Sequence, residues 1–281
     1  MKIRIYQYFA WAYLGFCMAC NSGIPEYEGE SEQVREVTFR VSQMGGRLAR
    51  ATATNFEVGD SIGIYAVKRD IPSELGILTI SGNQAHNAKW VKTENGWRPA
   101  SPIDKVVWSQ DGTPIDFYAY YPYSREAINP EAIKLSVSTT QDVASAFDIS
   151  DALRAANTQG LTDGEVELWF GHLFSLVNIN LKSESFEIDS SMLVTARDVG
   201  TAILLNLGTG VQTPMGTANV TFYRASANDN VWSGILPPQR IVEEQALLQF
   251  EQSGEVYIYK TNGVNLTAGN HQKFEINLKS N

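Results

Sequence analysis

The chain has 281 residues, with 22 Lys+Arg against 31 Asp+Glu, a formal net charge of −9, 43% hydrophobic and 19% charged residues. That composition excludes a disordered chain and a multi-span membrane protein, and the acidic balance gives no footprint for nucleic acid. Both Cys fall in the first twenty residues and only His86, His172 and His271 are present, which argues against a disulfide framework, a Cys-based zinc site or a multi-His metal centre.

Residues 1–20 read as an address. Lys2 and Arg4 precede an uncharged run from Tyr8 to Ala19. The run is shorter than the ~20 apolar residues of a membrane span and suits a signal-peptide core. It ends at Met18-Ala19-Cys20, which resembles a bacterial lipobox, with Cys17 where Leu is favoured. The expectation is acylation of Cys20, against an ordinary secretory signal cut nearby. Residues 21–32 carry Pro25 and then Glu26, Glu28, Glu30 and Glu32, a solvated acidic tether that loosely resembles surface-export signals of Bacteroidota lipoproteins.

Beyond the tether the dominant period is two. Val37, Phe39 and Val41 alternate with Thr38 and Arg40; Ile62 and Ile64 with Gly63 and Tyr65. Val177, Ile179 and Leu181 alternate with Asn178, Asn180 and Lys182; Phe274, Ile276 and Leu278 with Glu275, Asn277 and Lys279. Such alternation predicts strands with one face on a core and one in water. Gly45-Gly46, Asp111-Gly112, Asp163-Gly164, Gly208-Thr209-Gly210 and Pro237-Pro238 punctuate the runs, so the chain reads as all-β, built of β-sandwiches. Asp151–Ala156, capped by Ser150, is the best candidate for a turn or two of helix. Val242–Leu248 is rich in helix formers but follows Pro237-Pro238 closely. The Leu161–Gly164 loop suggests two units, 33–165 and 166–281. There is no internal repeat and no low-complexity segment.

Catalytic patterns are few. Gly59-Asp60-Ser61-Ile62-Gly63 matches the G-x-S-x-G elbow, and its Gly-Asp-Ser-Ile resembles the Ser block of lipase-like hydrolases. The elbow needs a helix after the Ser, and Ile64–Val67 are strand formers. Gly59-Asp60 therefore reads as a turn. His172 lies between apolar strands and reads as structural; His86 and His271 lie in Asn-rich stretches and read as solvated. The aromatic run Phe117–Tyr123 reads as packing, with a sugar platform as the alternative. No P-loop or dinucleotide fingerprint occurs, and the expectation is a protein without enzyme activity or cofactor.

Several blocks in order resemble the fimbrillin family of Bacteroidota, the Mfa-like fimbrial subunits. They are Arg47–Thr52, Asn55–Tyr65, Asp116–Tyr123, Phe170–Val177, Ile235–Gln239 and Leu266–Gly269. The resemblance implies two consecutive transthyretin-like β-sandwich domains and a lipoprotein precursor bound for the outer membrane and cell surface. It implies fimbriae built by strand exchange with other subunits, and adhesion to a host or bacterial surface ligand. In such pilins an Arg-directed protease removes an N-terminal segment. Arg50-Ala51 is then the preferred cut and Arg47-Leu48 the alternate, and the lost segment carries Val37, Phe39 and Val41. The strand of Phe274, Ile276 and Leu278 is either a donor or simply the last strand of its own sheet. The alternative function is a monomeric surface lipoprotein that binds a glycan or host protein.

Overall fold

The computed structural model describes residues 34–44, 56–226 and 229–279. The signal, the acidic tether, Cys20, Gly45-Gly46, Arg47 and Arg50 lie outside the described residues. The first strands are β1 (Thr38–Gln43), β2 (Ser61–Lys68), β3 (Ala85–Thr93), β4 (Gly96–Pro99) and β5 (Ile115–Tyr121). β6 (Ile133–Ser136) and one helical turn, α1 (Ala144–Asp148), lead into β7 (Leu153–Leu161) and β8 (Glu165–His172). Then come β9 (Ser175–Ser183), β10 (Leu193–Leu205), β11 (Gln212–Thr221) and β12 (Tyr223–Arg224). β13 (Val231–Leu236), β14 (Gln239–Gln252), β15 (Glu255–Leu266) and β16 (His271–Leu278) complete the described strands.

The fold is all-β. One sheet runs β1-β8-β7-β5-β2-β3-β4, a second β11-β10-β14-β15 with β6 alongside β10, and a third β12-β13-β9-β16. The division expected after residue 165 is corrected by strand pairing. β8 begins at Glu165 but lies between β1 and β7 in the first sheet, and β6 leaves its sequence neighbours to pair with β10. Backbone hydrogen bonds decide this, because a strand joins whichever edge satisfies its donors and acceptors.

Alternation explains the two cores. On β2 and β5, Ile62, Ile64, Phe117 and Ala119 face one apolar cluster, while Tyr65, Tyr118 and Tyr120 belong to another. Every residue of β5 is buried, so the middle of this sheet is covered on both faces. One face in water holds instead for β1, β8 and β16. Close packing fixes two glycines. A Cβ at Gly63 would sit 2.3 Å from the Tyr120 ring, and one at Gly234 2.3 Å from Phe222.

Both suggested helical stretches are strands. Residues 153–156 belong to β7, where Tyr118 to Tyr121 of β5 take up their backbone groups, and the helical turn lies earlier, at α1. Val242–Leu248 lies in β14, paired with β15 through register shifts, with Glu244 at φ +65°. Buried Gln141 ties the α1 region to β13. Its side-chain amide donates to the Ile235 carbonyl at 2.9 Å and accepts from the Ile235 N–H at 2.8 Å.

Candidate functional site

β1 is an end strand, and with residues 35–37 just before it forms a segment set in a slot whose second wall touches only residues 35–37. Along one wall it pairs parallel with β8, from Thr38 opposite Glu165 to Gln43 opposite Phe170. Along the other, the Val37 N–H donates to the Val106 carbonyl at 2.8 Å and the Trp108 N–H to the Arg35 carbonyl at 2.9 Å. The period of two sets what each side chain does. Val37 and Phe39 point inward and are 2% and 7% exposed, and Val41 packs half-buried beside them. Phe39 meets Trp90 edge-on at 4.8 Å and Phe117 at 5.7 Å between ring centres. Beneath the strand, Val166, Leu168 and Phe170 of β8 continue the same apolar floor.

The outward face of β1 is polar and charged. The Arg40 guanidinium forks between two carboxylates of β8, Glu165 at 2.7 Å and Glu167 at 3.2 Å. Glu36, on the same face, pairs with Lys105 beside the opposite wall. These partners went unrecognised in the sequence. Glu165 and Glu167 stand at alternate positions, but only the pairing of β1 with β8 brings them to Arg40.

Phe274, Ile276 and Leu278 lie on β16, which pairs parallel with β9 over its whole length. They are 9%, 7% and 6% exposed, and Phe274 lies edge-on to Tyr259 at 6.0 Å. In this state they close the chain's own C-terminal core.

The other candidate residues are placed as follows. Ser61 opens β2, with no helix after it. Gly59, at φ +102°, makes the turn, and the Asp60 carboxylate accepts the Glu57 N–H at 2.7 Å. His172 Nδ1 meets Asp151 at 2.9 Å. His86 is exposed and His271 half-buried, but neither lies in a loop. They lie on β3 and β16, where His86 Nε2 meets the Ile128 carbonyl at 2.9 Å and His271 Nε2 meets Asn178 Oδ1 at 2.6 Å. Phe117–Tyr121 are core residues, and burial raises the Tyr118 and Tyr120 hydroxyls above the usual tyrosine range. Tyr123 alone of the run's rings lines a groove of about 530 Å³, with Glu126, Lys134 and Ser136. Among the described residues, no group of three or more His, Cys, Asp or Glu is placed to hold a metal ion.

The fimbrillin-like family model matches residues 49–281, and the chain belongs to that family. It is 30% identical over 181 residues to a Bacteroides uniformis protein named "Putative fimbrium subunit Fim1C", across 61% of this chain and 54% of that one. The chain thus matches about half the length of that relative. Two crystal structures described as "putative cell adhesion protein" share the fold. One, from Bacteroides uniformis, has TM-score 0.62 at 20% identity over 87% of this chain and 94% of its own. The other, from Bacteroides ovatus, has TM-score 0.64 at 16% identity over 88% and 92%.

Proposed function

We propose that this chain is a fimbrial subunit, or a fimbrillin-like accessory or tip protein, assembled on the cell surface by protease-triggered strand exchange and contributing to adhesion. Its precursor is a lipoprotein acylated at Cys20 and held at the outer membrane, and its partners are other fimbrial subunits. The observation that carries this reading is the two-walled slot under β1. In sequence, Arg47 and Arg50 follow β1 closely. A cut after either frees the strand from the rest of the chain. Its departure uncovers Trp90, Phe117 and Phe170 and strips the backbone edge of β8. An incoming strand restores both the pairing and the burial. Three apolar side chains at roughly 1.5–3 kcal/mol each supply the drive. β16 acts as a donor only by giving up its own place beside β9.

The test uses chain starting at Asn21, digested briefly with an Arg-specific protease. The new N-terminus is sequenced and the product viewed by negative-stain microscopy. The expected result is one cut, after Arg50 or Arg47, with filaments or a multimer ladder. A clean cut without multimers points to a tip or accessory role that needs a partner's strand. An uncut, stable monomer overturns the processing mechanism. It would favour the monomeric binding protein, for which the groove beside Tyr123 is where a sugar ligand would be sought.

A further inference from the structure

We infer that the β1 slot reads charge as well as apolar pattern, and that it rejects this chain's own last strand in favour of one from a different subunit. This rests on the strand-exchange reading above. The slot's floor asks for three apolar side chains at alternate positions, where Val37, Phe39 and Val41 now sit. Its rim asks for an acid beside Lys105, where Glu36 sits, and a base four residues on, where Arg40 spans Glu165 and Glu167.

β16 has the apolar pattern and the wrong charges. Laid in the direction of β1, with Phe274, Ile276 and Leu278 over the three apolar sites, it sets Lys273 against Lys105. Glu275 then takes the place of Thr38, opposite Glu165. Laid in the reverse direction, it sets Lys279 against Lys105 and Glu275 in the place of Arg40, between Glu165 and Glu167. Either direction replaces attraction by like-charge repulsion at both ends, and cross-strand like charges weaken pairing. The strand that fits has the form acid-apolar-x-aromatic-base-apolar; the cut removes this chain's own copy of it, residues 36–41, from every processed subunit, so the donor belongs to a second, non-identical subunit.

The test uses the full chain from Asn21 after Arg-specific cleavage and removal of the protease, titrated with labelled peptides by fluorescence anisotropy. One peptide has the sequence of residues 34–43. A second carries Glu36→Lys with Arg40→Glu, which leaves its net charge unchanged. A third has the sequence of residues 271–279. At low salt the first binds about tenfold more tightly than the second and the third, and the gap narrows at about 1 M salt. A cleaved chain with Lys105→Glu, Glu165→Lys and Glu167→Lys reverses the order of the first two. Equal binding of all three peptides overturns the charge selection and leaves the slot standing. Failure of the first peptide to bind, with the cut verified by N-terminal sequencing, overturns the slot reading and this inference together.

Discussion

The Arg69 guanidinium grips the Asp116 carboxylate deep in the first sheet, with Nη2 2.8 Å from Oδ1 and Nε 3.1 Å from both oxygens. Asp116 has no solvent exposure and also accepts the N–H groups of Gly76 at 2.8 Å and Gly160 at 3.1 Å. Arg69 donates onward to the carbonyls of Pro72 at 2.9 Å and Thr158 at 2.7 Å. The hydrogen bonds that Arg69 donates to Asp116 raise the Arg69 pKa above its ordinary value. One ion pair therefore fastens the Ile71–Gly76 loop, β5 and β7 together. Asp116→Asn should destabilise the chain by about 3–5 kcal/mol, because it leaves a buried cation uncompensated. Arg69→Met with Asp116→Leu should cost less than Asp116→Asn alone. Urea denaturation of the three proteins checks the order, and a larger loss in the double variant contradicts it.

Phe39→Ala should destabilise the intact chain by about 3–5 kcal/mol, since the ring is buried against Trp90 and Phe117. After cleavage and loss of the N-terminal segment, variant and parent have the same sequence. Their melting curves should then coincide. A difference that survives cleavage shows that β1 stays bound.

Gly234→Ala should cost about 1–3 kcal/mol through overpacking, since its Cβ would meet three atoms of the Phe222 ring within 2.6 Å. Phe222→Leu in the same chain should recover part of the loss. Thermal unfolding of the single and double variants tests this, and additive losses count against the contact.

Desolvation, then the charge of Lys273, lowers the His271 pKa below its ordinary 6.5. The folded state thus holds the proton less tightly than the unfolded state. The resulting stability is present above pH 6.5 and is lost as pH falls through the folded pKa. His271→Gln should flatten that part of the stability profile. Urea midpoints measured from pH 8 to 5 on both proteins decide it; parallel profiles overturn the assignment.

Much of the fold was legible because alternation is local. The pattern of Val37, Phe39 and Val41 announced β1, and that of Phe274, Ile276 and Leu278 announced β16. What sequence hid was pairing across long separations. Nothing near Glu165 says that it stands opposite Thr38, so a strand belonging to the first sheet looked like the start of a second unit. The stretch after Ser150 looked helical because Ser150 could cap it, but β5 and β8 supply partners that override propensity. Glu243, Glu244 and Ala246 misled in the same way, since the bulged β14–β15 hairpin decides their conformation. Of the site, the apolar face of residues 37–41 could be read from one segment. The Arg40 fork could not, because its two halves lie 127 residues apart.

The parallel pairing of β1 with β8 also sets an order of events. Synthesis delivers the N-terminal end first, yet the edge that receives β1 emerges only once residues 165–172 have followed. β1, the earliest of the described strands, is thus among the last in the first sheet to be locked in. Because it stands at the end of the strand order, its withdrawal leaves every other ladder of that sheet intact. The other strands of that sheet are paired without it, and β1 is a late guest at their edge.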